Sequence, residues 1–450
     1  MRGKFFFFLA LPALSLCPTG CSDDADGDSS SGTASQSSSS SKESVIIYEA
    51  NPKVFATSDC LAAIEDRLDD IAALGADILW LMPTYTQGAK DAVGSPYCVR
   101  DYKSVNSEYG TEDDLVSLVN SAHNMGMKVI MDWVANHTSW DHEWITDHPD
   151  WYTTDSSGNI ISPSGTSWTD VADLDYSSSA LRSAMIDAML YWIDAVDIDG
   201  YRCDYAEGVP EDFWTTAIKT LRSDKDGLFM LAEGDDTGLY DCGFDAVYSW
   251  DFAYTAEDVF NGGDSMSDLI SEHESDISGV PDDCYRMRYI TNHDMASEES
   301  PVTAFGSEDA AFAGFVVTAM MSDCVMIYSS QEVAYPSTLN FFTYNVMDWE
   351  GNASTIARYE EFMGVYVDTK SYREDGPTMY DTSDAASIYW ENSSGQGLFV
   401  MVNTTSESLE ARVPMARRGD AVTDVLAGTS ETLSSTYTLD AYEYKIWSIE

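Results

Sequence analysis

Short runs of apolar, β-branched and aromatic residues alternate along the chain with longer stretches whose apolar positions recur every three or four residues. That alternation predicts repeated βαβ units. The strand candidates are Val45–Glu49, Ile78–Met82, Val129–Trp133, Gly200–Asp204, Leu228–Glu233, Ala246–Phe252, Arg288–Thr291 and Val325–Ser329. Eight strands of this kind, each followed by a helical stretch, are what a closed (β/α)8 TIM barrel requires. Among the helical stretches, Leu61–Leu74 places Leu61, Ile64, Leu68, Ile71 and Leu74 on one stripe. Leu115–Met125 and Leu181–Ile198 behave in the same way.

Two segments break this rhythm. After the third strand, Thr138 to about Tyr176 is long, polar and rich in tryptophan (Trp140, Trp144, Trp151, Trp168), without a helical period. A loop of this length in a compact enzyme carries function more often than not. Its tryptophans suit either a small core of their own or platforms for a flat ligand. From about Gly376 the pattern becomes short alternating runs, Ser387–Trp390, Leu398–Asn403 and Thr436–Ile449, separated by turn residues. The chain is therefore read as an α/β barrel over 45–138 and 177–375, an inserted domain over 139–176, and a C-terminal antiparallel β-sandwich over 376–450.

The N-terminus follows different rules. Arg2 and Lys4 precede an apolar run, Phe5–Leu16, which is too short for a stable membrane span and suits the h-region of an export signal. Gly20 then precedes Cys21, which resembles a bacterial lipoprotein signal with cleavage before a lipid-bearing cysteine. Cys17 is a rival, although Leu16 is a poorer cleavage residue. Ordinary secretion with both cysteines removed is the alternative. The expected location is the bacterial outer membrane, on its periplasmic face or at the cell surface, with the lipid as the sole membrane attachment. Residues 22–44, rich in Ser and Asp, bury too little apolar surface to offset their ordering entropy and are expected to form a tether.

Composition narrows the partners. With 77 acidic and 23 basic residues the formal charge is -54. Nucleic acid and anionic membrane surfaces are poor partners for such a chain, and its self-repulsion is eased by salt. An isolated Asp or Glu therefore carries little functional information here; only carboxylates in a specific context count. Beyond the export signal, Cys60, Cys98, Cys203, Cys242, Cys284 and Cys324 form no CxxC pair and no metal-ligand spacing.

In a barrel, groups at the C-terminal strand ends converge on one mouth. Four predicted ends concentrate polar chemistry: Asp132-Trp133-Val134-Ala135-Asn136-His137, Gly200-Tyr201-Arg202-Cys203-Asp204, Phe229-Met230-Leu231-Ala232-Glu233-Gly234, and Thr291-Asn292-His293-Asp294. A βα unit takes roughly 31 residues. Glu233 follows Asp204 by about one such unit and Asp294 follows Glu233 by about two, which puts three acids at the same rim.

These blocks resemble the α-amylase family of glycoside hydrolases. The likeness extends to Gly94-Ser95-Pro96-Tyr97 before Asp101-Tyr102, to Val105–Thr111, to Asp173-Leu174-Asp175-Tyr176 and to Gln331-Glu332. The resemblance implies Asp204 as nucleophile, Glu233 as acid and then base, and Asp294 as stabiliser of the oxocarbenium-like state. These are roles that retaining glycoside cleavage needs in any case. Arg202, two residues before Asp204 on the same strand face, would keep that carboxylate ionised and oriented. His137 and His293 would bond sugar hydroxyls, and Tyr97 would stack on the ring being cleaved.

The implied substrate is an α-1,4-glucan such as starch, glycogen or a maltooligosaccharide. Hydrolysis of α-1,6 bonds and glucan transfer are alternatives within the family. A non-catalytic glucan-binding surface protein is a further one, disfavoured because all three acids are present. The resemblance also implies Ca2+ between barrel and insert, held by Asn136, Asp173 and the Gly208 carbonyl. Two departures stand out. Many relatives follow the nucleophile with Lys-His, where this chain has Glu207-Gly208, and Phe55–Leu61 lacks the Asp/Asn-rich calcium loop found after the first strand in some members.

Overall fold

The computed structural model describes residues 42–450 apart from 375, 383 and 384. Cys21 and the rest of the export signal, with nearly all of the tether, lie outside the described residues. Eight parallel strands form the barrel: β1 (Val45–Ala50), β2 (Ile78–Leu81), β3 (Lys128–Val134), β4 (Gly200–Asp204), β5 (Phe229–Ala232), β6 (Ala246–Tyr248), β7 (Tyr285–Met287) and β8 (Cys324–Tyr328). They pair in order from β1 to β7, and β8 returns to pair with β1. The ring closes at one residue past β7. Arg288 donates its backbone N–H to Cys324 and accepts from Met326, at 2.9 and 2.8 Å.

Several expected boundaries need correction. The seventh strand lies at Tyr285–Met287 rather than Arg288–Thr291, because it is Tyr285, Arg286 and Met287 that pair with Ala246, Val247 and Tyr248; Arg288 keeps a single bridge to Val325, and Asn292 then caps a short helix, His293–Glu298. The sixth ends at Tyr248, since a helix begins at Trp250. The single helix read over Leu61–Leu74 is two, Cys60–Glu65 and Leu68–Ala73, broken at Asp66–Arg67 while its apolar stripe stays buried. The other long barrel helices start earlier than expected: α1 (Glu112–Asn124), capped reciprocally by Thr111 and Asp114, and α2 (Ser179–Val196), capped by Ser178. Helices α3 (Glu211–Asp224), α4 (Trp250–Phe260), α5 (Met266–Asp276), α6 (Glu308–Met320) and α7 (Ala353–Asp368) complete the outer layer. Among the described residues no helix is long and apolar enough to cross a membrane.

The insert is tied to the barrel by a short antiparallel ladder, His137–Ser139 against Val171–Asp173. Trp144 and Trp151 pack edge to face at 5.1 Å, and His148 stacks on Trp151, so these rings form a small core. Trp168 instead sets its edge against Tyr205, on the rim of the mouth, at 5.2 Å.

The C-terminal sheet shows the two-residue period of a strand at work. On Gly397–Val402, Leu398, Val400 and Val402 join the barrel core, while Phe399 and Met401 face a second core with Trp447, Ala411 and Leu439. A six-stranded sheet thus lies between the barrel and a two-stranded ribbon, Leu409–Arg412 with Thr436–Leu439. Trp390 fixes it to the barrel by donating to the Met320 carbonyl at 2.8 Å.

Candidate active site

The mouth is organised by one buried cation. Arg202 on β4 has no solvent exposure, and its Nη1 donates to Asp132 Oδ1 and Oδ2 at 2.9 and 3.1 Å and to Asp204 Oδ1 at 3.1 Å. Its Nη2 lies 3.0 Å from Glu233 Oε2, an ion pair in which the N–H does not point at the oxygen. Nε donates to the Tyr248 hydroxyl at 3.1 Å. The sheet explains the arrangement. Asp132 and Arg202 are partners in the β3–β4 register, and Cys203 pairs with Ala232, so Asp204 and Glu233 emerge side by side from adjacent strand ends.

Three carboxylates share this guanidinium, and its single charge cannot neutralise them all. Burial raises the pKa of Asp204 to about 7 and that of Glu233 to about 7; Arg202 opposes the rise, and repulsion from the other acids adds to it. A proton is therefore retained among them near neutrality. Asp132 is raised to about 6 by burial, again against Arg202. Glu233 is also gripped by backbone: Tyr205, at φ 42°, directs its N–H to Oε2 at 2.5 Å.

Asp294 sits across the mouth in the first turn of the helix that Asn292 caps. Asn292 Oδ1 accepts from the N–H groups of Asp294 and Met295. The cap is therefore Asn292, and the Asp294 side chain, 43% exposed, is left facing the opening. His293 is buried between two acids, its Nδ1 2.6 Å from Glu49 Oε1 and its Nε2 3.4 Å from Asp294. Burial works against a charge on this ring, but Asp294 and Glu49 outweigh it and lift the imidazole to about 9. Tyr97 stacks on His293 with centroids 5.4 Å apart; its hydroxyl bonds His293 Nε2 at 2.8 Å and donates to Asp132 at 3.1 Å. His137, pushed down to about 4 by burial, is neutral and packs near Trp168. His142 and His273 are both buried.

The structure thus gathers Asp204, Glu233, Arg202, Tyr97, His293 and Asp294 at one mouth. Asp132, Glu49 and Tyr248 were not singled out from sequence. A signal existed for the first two, since a carboxylate within an apolar strand must be paired or protonated.

Asn136 Oδ1 lies beside Gly208, since a Cβ on that glycine would be 2.9 Å from it. Asp173 is the partner of His137 in the insert ladder, and burial, with repulsion from Asp175, raises its pKa. An amide oxygen, a carbonyl and one under-compensated carboxylate are a donor set that fits Ca2+. The six cysteines of the described residues are free thiols, five of them buried.

Paired acids on adjacent strand ends, one able to hold a proton near neutrality, are the arrangement that glycoside hydrolysis requires. Comparison with known proteins gives the family. The alpha-amylase catalytic domain matches residues 36–161 and 165–397, and the chain belongs to the alpha-amylase family. Alpha-amylase MalA of Haloarcula japonica is 27% identical over 87% of this chain, which spans 58% of that protein's length. An oligo-1,6-glucosidase of a Bacillus species is 30% identical over 36% of the chain and 38% of its own length. Among solved structures, the maltogenic alpha-amylase AmyB of Thermotoga neapolitana superposes with a TM-score of 0.80 at 26% identity, covering 90% of this chain and 98% of that one.

Proposed function

We propose that this enzyme hydrolyses α-1,4-glucosidic bonds of starch, glycogen or maltooligosaccharides with retention of anomeric configuration. The observation that carries the reading is Arg202 joining Asp204 and Glu233 on neighbouring strands. Such strands lie about 4.8 Å apart, which suits the carboxyl separation of about 5–5.5 Å in retaining enzymes better than the 6.5–9.5 Å of inverting ones.

In the first step an Asp204 oxygen bonds to the anomeric carbon as its bond to the glycosidic oxygen breaks, and Glu233 gives that oxygen its proton. Water then attacks the same carbon, loses a proton to Glu233, and breaks the ester to Asp204. Asp294 stabilises the positive charge that develops at each passage. The charged His293 and neutral His137 bond sugar hydroxyls, and Tyr97 stacks on the ring. Asn136, Asp173 and the Gly208 carbonyl would hold Ca2+, which when bound would supply positive charge that ties the insert to the barrel.

The test is proton NMR of the first product before mutarotation. The α-anomer is expected, and the β-anomer would overturn Asp204 as nucleophile. Similarity to an oligo-1,6-glucosidase, with Glu207-Gly208 in place of Lys-His, gives some weight to α-1,6 cleavage or glucan transfer. Products from starch, isomaltooligosaccharides and sucrose separate these readings. We further propose lipid attachment at Cys21: Cys21→Ala should move the enzyme from the membrane to the soluble fraction, and a variant still membrane-bound would refute it.

A further inference from the structure

Where many relatives carry a basic pair after the nucleophile, this chain has Glu207, and the structure gives that side chain a specific occupation. Its Oε1 accepts from the backbone N–H groups of Asp235 and Asp236 at 2.9 and 3.2 Å. Those residues form the turn that leaves Glu233. The neighbours of Glu207 hold the same residue from other sides: Tyr205 N–H bonds the Glu233 carboxylate, and Ala206 N–H donates to the Glu233 carbonyl at 3.0 Å. Gly234 leaves room for the contact, since a Cβ there would lie 2.7 Å from Glu207 Oε1 and 2.9 Å from its Cγ.

Three consecutive residues after β4 thus clasp the residue after β5 at its carboxylate, its carbonyl and its following turn. The two backbone clasps need no particular side chain; the third needs an acceptor long enough to reach two N–H groups at once. The Glu207 side chain does this through one oxygen, Oε1.

We propose that Glu207 is a positioning residue for Glu233, holding the turn beyond it so that the acid's proton is aimed at the leaving oxygen. This rests on the reading of Glu233 as general acid. Glu207 touches neither substrate nor Glu233 in this role and acts through the Asp235–Asp236 backbone. Its loss should therefore harm proton delivery and spare the attack of Asp204.

The experiment compares kcat/KM, which reports the first chemical step, on a maltooligosaccharide and on a maltosyl fluoride whose leaving group departs without a proton. Glu207→Ala should lower the value about 10- to 100-fold on the oligosaccharide, the scale of a misplaced catalytic group, and by less than about threefold on the fluoride. Glu207→Gln, which keeps an acceptor oxygen at the same reach, should stay within about threefold of wild type on both. Equal losses on the two substrates, no loss on either, or failure of the Gln variant to rescue would overturn the proposal. Should Glu207→Ala not fold, Glu207→Asp, one methylene too short for both N–H groups, must show the same split in reduced form. Glu233→Gln runs alongside. If it loses equally on both substrates, the assignment of Glu233 as the acid fails, and that result is separate from the behaviour of Glu207.

Discussion

Arg202 Nη1 donates to both oxygens of Asp132, at 2.9 and 3.1 Å, with neither side chain exposed to solvent. Trp80 and Tyr97 add donors to the same carboxylate, so the ion pair is the floor on which the two catalytic candidates stand. Breaking one side of a buried pair costs about 3–5 kcal/mol. Arg202→Ala should destabilise by about that much in denaturant unfolding. Asp132 already has a pKa raised by burial, and the loss of Arg202 would raise it further. A raised carboxylate binds its proton more tightly when folded, so stability falls as pH rises. The loss should therefore be smaller at about pH 5 than at about pH 8. A pH-independent loss would contradict the charge argument.

Asp132→Asn tests the same floor through the rate. The charge of Asp132 is one cause of the raised pKa of Asp204, so its removal should let Asp204 ionise at lower pH. The acid limb of the kcat/KM profile should move down, and an unmoved or raised limb would count against this electrostatic coupling.

The wild-type profile follows from the same pair. The nucleophile must be ionised and the acid protonated, so activity is lost on both sides of neutrality. Because Asp204 and Glu233 each titrate at about 7, the limbs belong to the pair and enclose a narrow maximum. On a glycosyl fluoride the alkaline limb should vanish, since no proton is needed in the first step. A broad plateau reaching well above neutrality on the natural substrate would be inconsistent with a proton held by Glu233.

Calcium bound only to the folded state stabilises it by mass action, by about 2.7 kcal/mol at one hundred times its Kd. Excess chelator should lower the melting temperature, and Asp173→Asn should weaken the response. Unchanged stability in chelator, with no calcium found by elemental analysis, would remove the metal from this account.

The formal charge of -54 sets the response to salt. Raising the ionic strength from 0.1 to 1 M shortens the Debye length from about 10 to about 3 Å and relieves self-repulsion. The melting temperature should rise across that range, and a flat or falling value would refute the argument.

The sequence alone determined the barrel, because apolar runs and helical stripes are local patterns that survive without tertiary information. It also marked Asp204, Glu233 and Asp294, whose spacing by whole βα units puts them on one rim. Tertiary structure decided what the spacing leaves open. Strand seven lies earlier because Tyr285–Met287 pair with Ala246–Tyr248, a register between strands that the run Arg288–Thr291 does not reveal. Asp132, Glu49 and Glu207 acquired partners 70, 244 and 28 residues away. An isolated carboxylate in a chain with 77 acids carries little information until folding shows which donor it meets, because the free energy of a buried charge belongs to the pair.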